Sequence, residues 1–261
     1  MKNFAVLVAL AGLAVAANAG PGKIDILVRN VTVGGPAADR VDASAGDTVE
    51  VQCWYYWGDP TGFTALGLSA VTHNITSSDF DASNSMFDTG DKRVPPFNYG
   101  QQTQRAFRLG NTLRIADAAN TGDLASGGIS VSQGSPFVSG GMYNASNPAL
   151  GFAFTFVVGT GQTSDINFDA PANRIYRYRV HTSATNVTGT PKDISFDATD
   201  GATVVLLCPA DFDKSGFVDT DDFTAYVLAF EAGTDNADFD GSGFVDTDDF
   251  TAFTLAFEAG C

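Results

Sequence analysis

Apolar and polar residues alternate through Val49, Val51, Cys53, Tyr55 and Trp57, and again through Phe152, Phe154, Phe156 and Val158. A period of two marks a strand with one buried face. Comparable segments predict strands at Ile24–Val33, Thr48–Trp57, Thr64–Ile75, Gln104–Leu109, Thr112–Ile115, Gly151–Val158, Arg174–His181, Asp193–Phe196 and Thr203–Leu207, bounded by Gly, Pro, Asn and Asp clusters. In the seventh, Tyr176, Tyr178 and Val180 oppose Ile175, Arg177 and Arg179. Eight or nine short strands with no helical period between them predict a mainly β domain over residues 20–207, a β-sandwich of jelly-roll or immunoglobulin-like topology. Residues 116–148, rich in Gly, Ser and Asn, read as long surface loops.

The pattern changes at both ends. Met1–Ala19 has an early lysine, an Ala-rich apolar run and the small-residue close Ala17-Asn18-Ala19, which predicts a signal peptide cut after Ala19 and a secreted, extracellular or cell-surface protein. The alternative, a membrane anchor, is disfavoured because the run is short for a bilayer span. Near the other end the period lengthens to that of a helix. Phe223, Tyr226, Val227 and Phe230 fall at i, i+3, i+4 and i+7, as do Phe250, Phe253, Thr254 and Phe257. Gly233 and Gly260 supply stop signals.

Charge singles out the same C-terminal region. The formal net charge is −16 with a pI near 4.2, which argues against nucleic acid or an anionic membrane as a partner. Residues 208–261 hold 13 acidic side chains and 1 basic one. Carboxylates gathered so densely require a counter-cation.

These residues form a duplicated unit. Asp211–Gly233 and Asp238–Gly260 match at 20 of 23 positions, too many for chance. Each copy opens with a twelve-residue loop of EF-hand type, whose odd positions supply oxygen ligands to a hard cation. In the first copy the ligands are Asp211, Asp213, Ser215, the Phe217 carbonyl, Asp219 and Asp222; in the second, Asp238, Asp240, Ser242, the Phe244 carbonyl, Asp246 and Asp249. Gly216 and Gly243 occupy the turn position. The spacing predicts two Ca2+ ions. Serine at position 5 and aspartate in place of glutamate at position 12 predict sites weaker than the strongest EF-hands. The alternative is an acidic turn repeat without metal. No amphipathic helix precedes either loop, so each unit is loop then helix.

A pair of calcium loop–helix repeats resembles a dockerin. The bracketing of residues 208–261 by Cys208 and Cys261 resembles the GC-type dockerins of secreted, planctomycete-like bacterial proteins. The resemblance implies a non-catalytic plug of two antiparallel helices with pseudo-two-fold symmetry, docking onto a cohesin-like module or a cell-surface scaffold. It implies partner contacts at loop positions 10 and 11, here Thr220 and Asp221, with Thr247 and Asp248 in the second copy. Asp221 and Asp248 stand where cellulosomal dockerins carry small hydroxyl residues, which points to an unusual partner.

In an exported chain Cys208 and Cys261 are expected to form a disulfide closing the tail; two unrelated thiols are the alternative. Cys53 reads as a buried inert thiol.

For the β domain the sequence favours a non-catalytic binding or structural role. The competing readings are a glycoside hydrolase, or a carbohydrate-binding module delivered to polysaccharide. Asp59, Asp79, Asp81 and Asp117 are candidate carboxylates but form no recognisable pair. His73 and His181 read as ordinary strand residues. Within Trp54-Tyr55-Tyr56-Trp57, Tyr55 and Trp57 are expected in the core, leaving Trp54 and Tyr56 as a possible sugar platform; burial of all four is the alternative.

Overall fold

The computed structural model describes residues 21–59, 62–85, 92–97, 104–109, 112–117, 129–132, 146–171, 175–182, 191–197, 199–215 and 217–260. The expected signal peptide, Asp117's side chain and Cys261 lie outside the described residues or side chains.

Among the described residues, twelve strands precede two α-helices. They are β1 (Lys23–Asn30), β2 (Arg40–Ala43), β3 (Thr48–Tyr56), β4 (Gly67–His73), β5 (Gln104–Leu109), β6 (Thr112–Asp117), β7 (Ile129–Ser132), β8 (Ala149–Val157), β9 (Ile166–Phe168), β10 (Ile175–His181), β11 (Lys192–Asp193) and β12 (Ala202–Leu206). The helices are α1 (Thr220–Ala232) and α2 (Thr247–Ala259).

The strands assemble into sheets of order β1-β3-β8, β11-β10-β4-β7 and β2-β12-β9, with β5-β6 pairing as a hairpin. The alternation seen in the sequence becomes the inner face of the first sheet. Ile24, Ile26 and Val28 on β1, Val49, Val51, Cys53 and Tyr55 on β3, and Phe152, Phe154 and Phe156 on β8 are all buried. They join Leu68, Val71, Tyr178 and Val180 from the second sheet and Ile166, Phe168 and Val204 from the third in one apolar core. Each such side chain contributes roughly 1.5–3 kcal/mol through burial. Phe80, Phe154, Phe156 and Phe168 interlock there at ring distances of 4.9–6.3 Å. Tyr178 reaches across from β10, its hydroxyl donating to the carbonyls of Lys23 and Tyr56.

The mainly β expectation holds, with differences in detail. Within residues 116–148, read as loop, β7 pairs with β4; four residues carry too little alternation to announce a strand. β2 and β12 run parallel, a pairing of distant segments that no hairpin signal anticipates. On β10 both Ile175 and Tyr178 are buried, against strict alternation, because the register with β4 shifts between Ile175 and Arg177. Such a bulge resets which face the following residues point to.

His73 is wholly buried. Its Nε2 lies 2.8 Å from the Tyr55 hydroxyl, and burial lowers its pKa to about 4, so the ring is neutral at pH 7. Burial likewise pushes the Cys53 thiol up, as an inert core cysteine requires.

Candidate metal centre and helix pair

Each C-terminal loop closes on its own following helix. Asp219 caps α1 by accepting from the Asp221 amide at 2.8 Å, while Asp222 Oδ2 accepts from the Asp219 amide at 2.8 Å. This reciprocal capping box satisfies amides that a helix start leaves orphaned. Asp222 Oδ1 then reaches back to the Asp213 amide at 3.0 Å, folding the loop onto the helix. The second copy repeats the arrangement: Asp246 accepts from Asp248 at 2.8 Å, Asp249 Oδ2 from Asp246 at 2.8 Å, and Asp249 Oδ1 from Asp240 at 3.0 Å. At the far end of α1, Gly233 takes φ 63° and its amide bonds back to Ala229 and Phe230. A left-handed cap of this kind favours glycine.

The same bonds gather the acidic side chains. Asp211, Asp213 and Asp222 bring one carboxylate oxygen each within 4.8 Å of one another, and Asp238, Asp240 and Asp249 do the same. Two unit charges at such a separation repel by about 1 kcal/mol in bulk water and more in a protein environment. Asp222 and Asp249 are fully buried. Burial raises the Asp222 carboxyl, but the amides of Asp213, Asp219 and Phe212 outweigh it and hold the pKa below the usual carboxylate range. The Asp246 and Asp240 amides do the same for Asp249. Both groups are therefore anions at neutral pH.

The donor set fits a hard divalent cation. Every candidate ligand is an oxygen. Asp238 Oδ2 accepts from the Gly243 amide at 2.8 Å, whereas its Oδ1 is buried with no hydrogen-bond partner. A shielded carboxylate oxygen without a donor is costly unless a cation supplies the missing charge.

The structure sorts the sequence-predicted ligands. Positions 1, 3 and 12 of each loop form the carboxylate cluster. Ser215 and Ser242 hold the position 7 carbonyls, Ser215 Oγ donating to Phe217 at 3.3 Å and Ser242 Oγ to Phe244 at 3.2 Å. Asp219 and Asp246 at position 9 serve the helix caps. Thr220, Asp221, Thr247 and Asp248 are all exposed on the first turns of their helices. Leu228 and Leu255, seven residues beyond Asp221 and Asp248 and so on the same helix face, are each 63% exposed.

The two units pack on each other through aromatic rings. Tyr226 and Phe253 stack at 3.8 Å with planes 9° apart. Around this stack the contacts come in reciprocal pairs. Phe212–Tyr226 lies at 5.3 Å and Phe239–Phe253 at 5.4 Å. Phe223–Phe257 and Phe230–Phe250 both lie at 5.5 Å. Such duplication of distances is what a pseudo-two-fold axis through the stack produces. Sequence reasoning missed Phe212 and Phe239. They occupy loop position 2, and in a curl that turns odd positions toward the ligand cluster, an even-position aromatic turns toward the helices.

The predicted Cys208–Cys261 bridge ends on a residue outside the described set. In the β domain, Tyr55 and Trp57 are buried and Trp54 and Tyr56 are half-buried. Asp59 accepts from the Ala65 amide and Asp79 from Asn167. No helix among the described residues is long and apolar enough to cross a membrane.

No family model matches the chain, and no curated protein matches it. Among solved structures it is similar to a type I cohesin–dockerin complex from Clostridium thermocellum, at 8% identity and a TM-score of 0.39, over 71% of this chain and 99% of that one. It is similar to CaCohA2 from Clostridium acetobutylicum at 14% identity and a TM-score of 0.37, over 71% and 92%. A type II cohesin domain from the cellulosome of Acetivibrio cellulolyticus shares 11% identity at a TM-score of 0.37, over 71% and 95%. Likenesses of this strength assign neither family nor partner.

Proposed function

We propose that residues 208–261 form a dockerin-like module that takes up two Ca2+ ions, docks onto a cohesin-like or cell-surface protein, and so presents a non-catalytic β domain outside the cell. The observation that carries this reading is the buried, unpartnered Asp238 Oδ1 within a three-carboxylate cluster, in a loop whose geometry is repeated in the other copy. Asp211, Asp213 and Asp222 would hold one ion, and Asp238, Asp240 and Asp249 the other, with Ser215, Phe217, Asp219 and their counterparts completing each shell. The ion supplies positive charge that offsets carboxylate repulsion and fixes each loop against its helix. The Cys208–Cys261 disulfide would close the module.

Docking falls to the exposed face of Thr220, Asp221 and Leu228, duplicated by Thr247, Asp248 and Leu255. Leu228 and Leu255 are the large apolar side chains that the two helices leave exposed on this face, 63% each. Binding of the purified chain to a panel of cohesin modules, in calcium and in EGTA, tests this. Calcium-dependent capture that is lost in the Leu228→Glu/Leu255→Glu double variant supports it. Capture unaffected by EGTA or by the double variant contradicts it.

A further inference from the structure

A cavity of about 300 Å3 opens on the outer face of the β1–β3 pair, walled by Leu27, Arg29, Gln52, Trp54, Tyr56 and Pro148. That volume sits at the lower end of small-ligand sites. Leu27 lies opposite Gln52 across the two strands, and Asp25 opposite Trp54. Gly35, Pro36 and Ala37 complete the lining, Gly35 at a φ of 114° that favours glycine.

The polar tips of the two aromatics are already engaged. Trp54 Nε1 donates to Gln52 Oε1 at 2.9 Å, and Gln52 Nε2 donates to Glu50 at 2.7 Å. The Tyr56 hydroxyl donates to Asp25 at 3.3 Å. These bonds fix the rings, so what they offer a ligand is an apolar face. Arg29 differs. Its guanidinium makes no hydrogen bond or ion pair among the described residues, although Glu50, already accepting from Gln52, stands opposite it across the two strands. An unanchored guanidinium on a pocket wall matches a carboxylate, which it grips through two parallel hydrogen bonds.

We propose that this cavity binds a carboxylate-bearing pyranose residue of an acidic polysaccharide, its ring against Trp54 and its carboxylate on Arg29. A pyranose chair, with an apolar C–H face and oxygens at its edge, meets both demands at once. A proline-rich peptide meets them less well, because the indole N–H that would bond its carbonyl is occupied by Gln52. None of the C-terminal residues that hold most of the chain's excess negative charge lines this cavity, so the site is independent of them.

The test titrates the full chain in EGTA, so that calcium cannot bridge acidic sugars to the aspartate loops. The probes are oligogalacturonate, alginate oligomers and glucuronoxylan oligomers, set against neutral galacto-, xylo- and cello-oligosaccharides and decaproline, read by tryptophan fluorescence and calorimetry. At least one acidic oligomer is expected to bind about tenfold more tightly than its neutral counterpart. Trp54→Ala weakens that binding by about tenfold or more while Trp54→Phe retains most of it, and Arg29→Gln removes the preference for the acid. The proposal is overturned if no acidic oligomer binds up to about 5 mM, if acidic and neutral oligomers bind equally, if Trp54→Ala leaves binding unchanged, or if decaproline displaces the sugar.

Discussion

Phe253 is the side chain on which the coupling between ion capture and helix packing turns. It is fully buried, stacks on Tyr226 at 3.8 Å, and meets Phe239 at 5.4 Å and Phe257 at 5.8 Å. Phe253→Ala removes that burial and leaves a void, a change costing roughly 3–5 kcal/mol. Tyr226 and Ala237 are the other fully buried members of this core, and a core so small supplies only about 3–5 kcal/mol in total. If calcium binding drives the folding of the module, the lost energy appears as weaker calcium affinity. Shared between two ions, about 4 kcal/mol is about 2 kcal/mol per ion, or roughly a thirtyfold rise in the calcium concentration at half-transition. The assay is the helical circular dichroism signal of the full chain against free calcium. The β-domain melting transition serves as control, since Phe253 takes no part in that core. A midpoint within about threefold of the wild type would refute the coupling of helix packing to ion capture.

Other predictions concern single positions. His73 is neutral when folded, with its pKa lowered to about 4, whereas the unfolded chain takes up the proton near 6.5. Stability from this group is therefore complete above about pH 6.5 and is lost as pH falls toward 4, by about 3 kcal/mol at most; urea unfolding at both ends of that window should show the loss, and His73→Gln should reduce it. Lys214 takes φ 63° where the second copy has Gly241 at 72°, so Lys214→Gly should stabilise the calcium-loaded module by roughly 1 kcal/mol, read as a higher melting temperature. At Gly201 an added Cβ would stand 2.5 Å from the Phe168 carbonyl oxygen, so Gly201→Ala should destabilise the β domain by roughly 1–3 kcal/mol in denaturant titration.

What the sequence disclosed follows the range of each interaction. Long alternating segments such as β3 and β8 were legible because five or four inward residues in a row have no other physical explanation. β2, β7 and β9 are three or four residues long, and their pairing with distant strands leaves no local trace. The bulge in β10 inverts its pattern midway. In the C-terminal repeat, ligand spacing, helix period and stop glycines are all local, so the loops and helices could be placed residue by residue. Phe212 also meets Phe253 at 6.2 Å and Phe239 meets Tyr226 at 6.0 Å, contacts between copies that depend on how the two meet. Likewise, nothing about Arg29 in the sequence distinguishes it from any other strand arginine; only the structure places it on the wall of a cavity beside Trp54.

The central claim is that two oxygen clusters hold two cations. Isothermal calorimetry of calcium into the purified full chain, beside an Asp222→Ala/Asp249→Ala variant, tests it most directly. The account predicts two ions per wild-type chain and none in the double variant. A wild-type chain that binds no calcium, or a double variant that binds it as the wild type does, would contradict it.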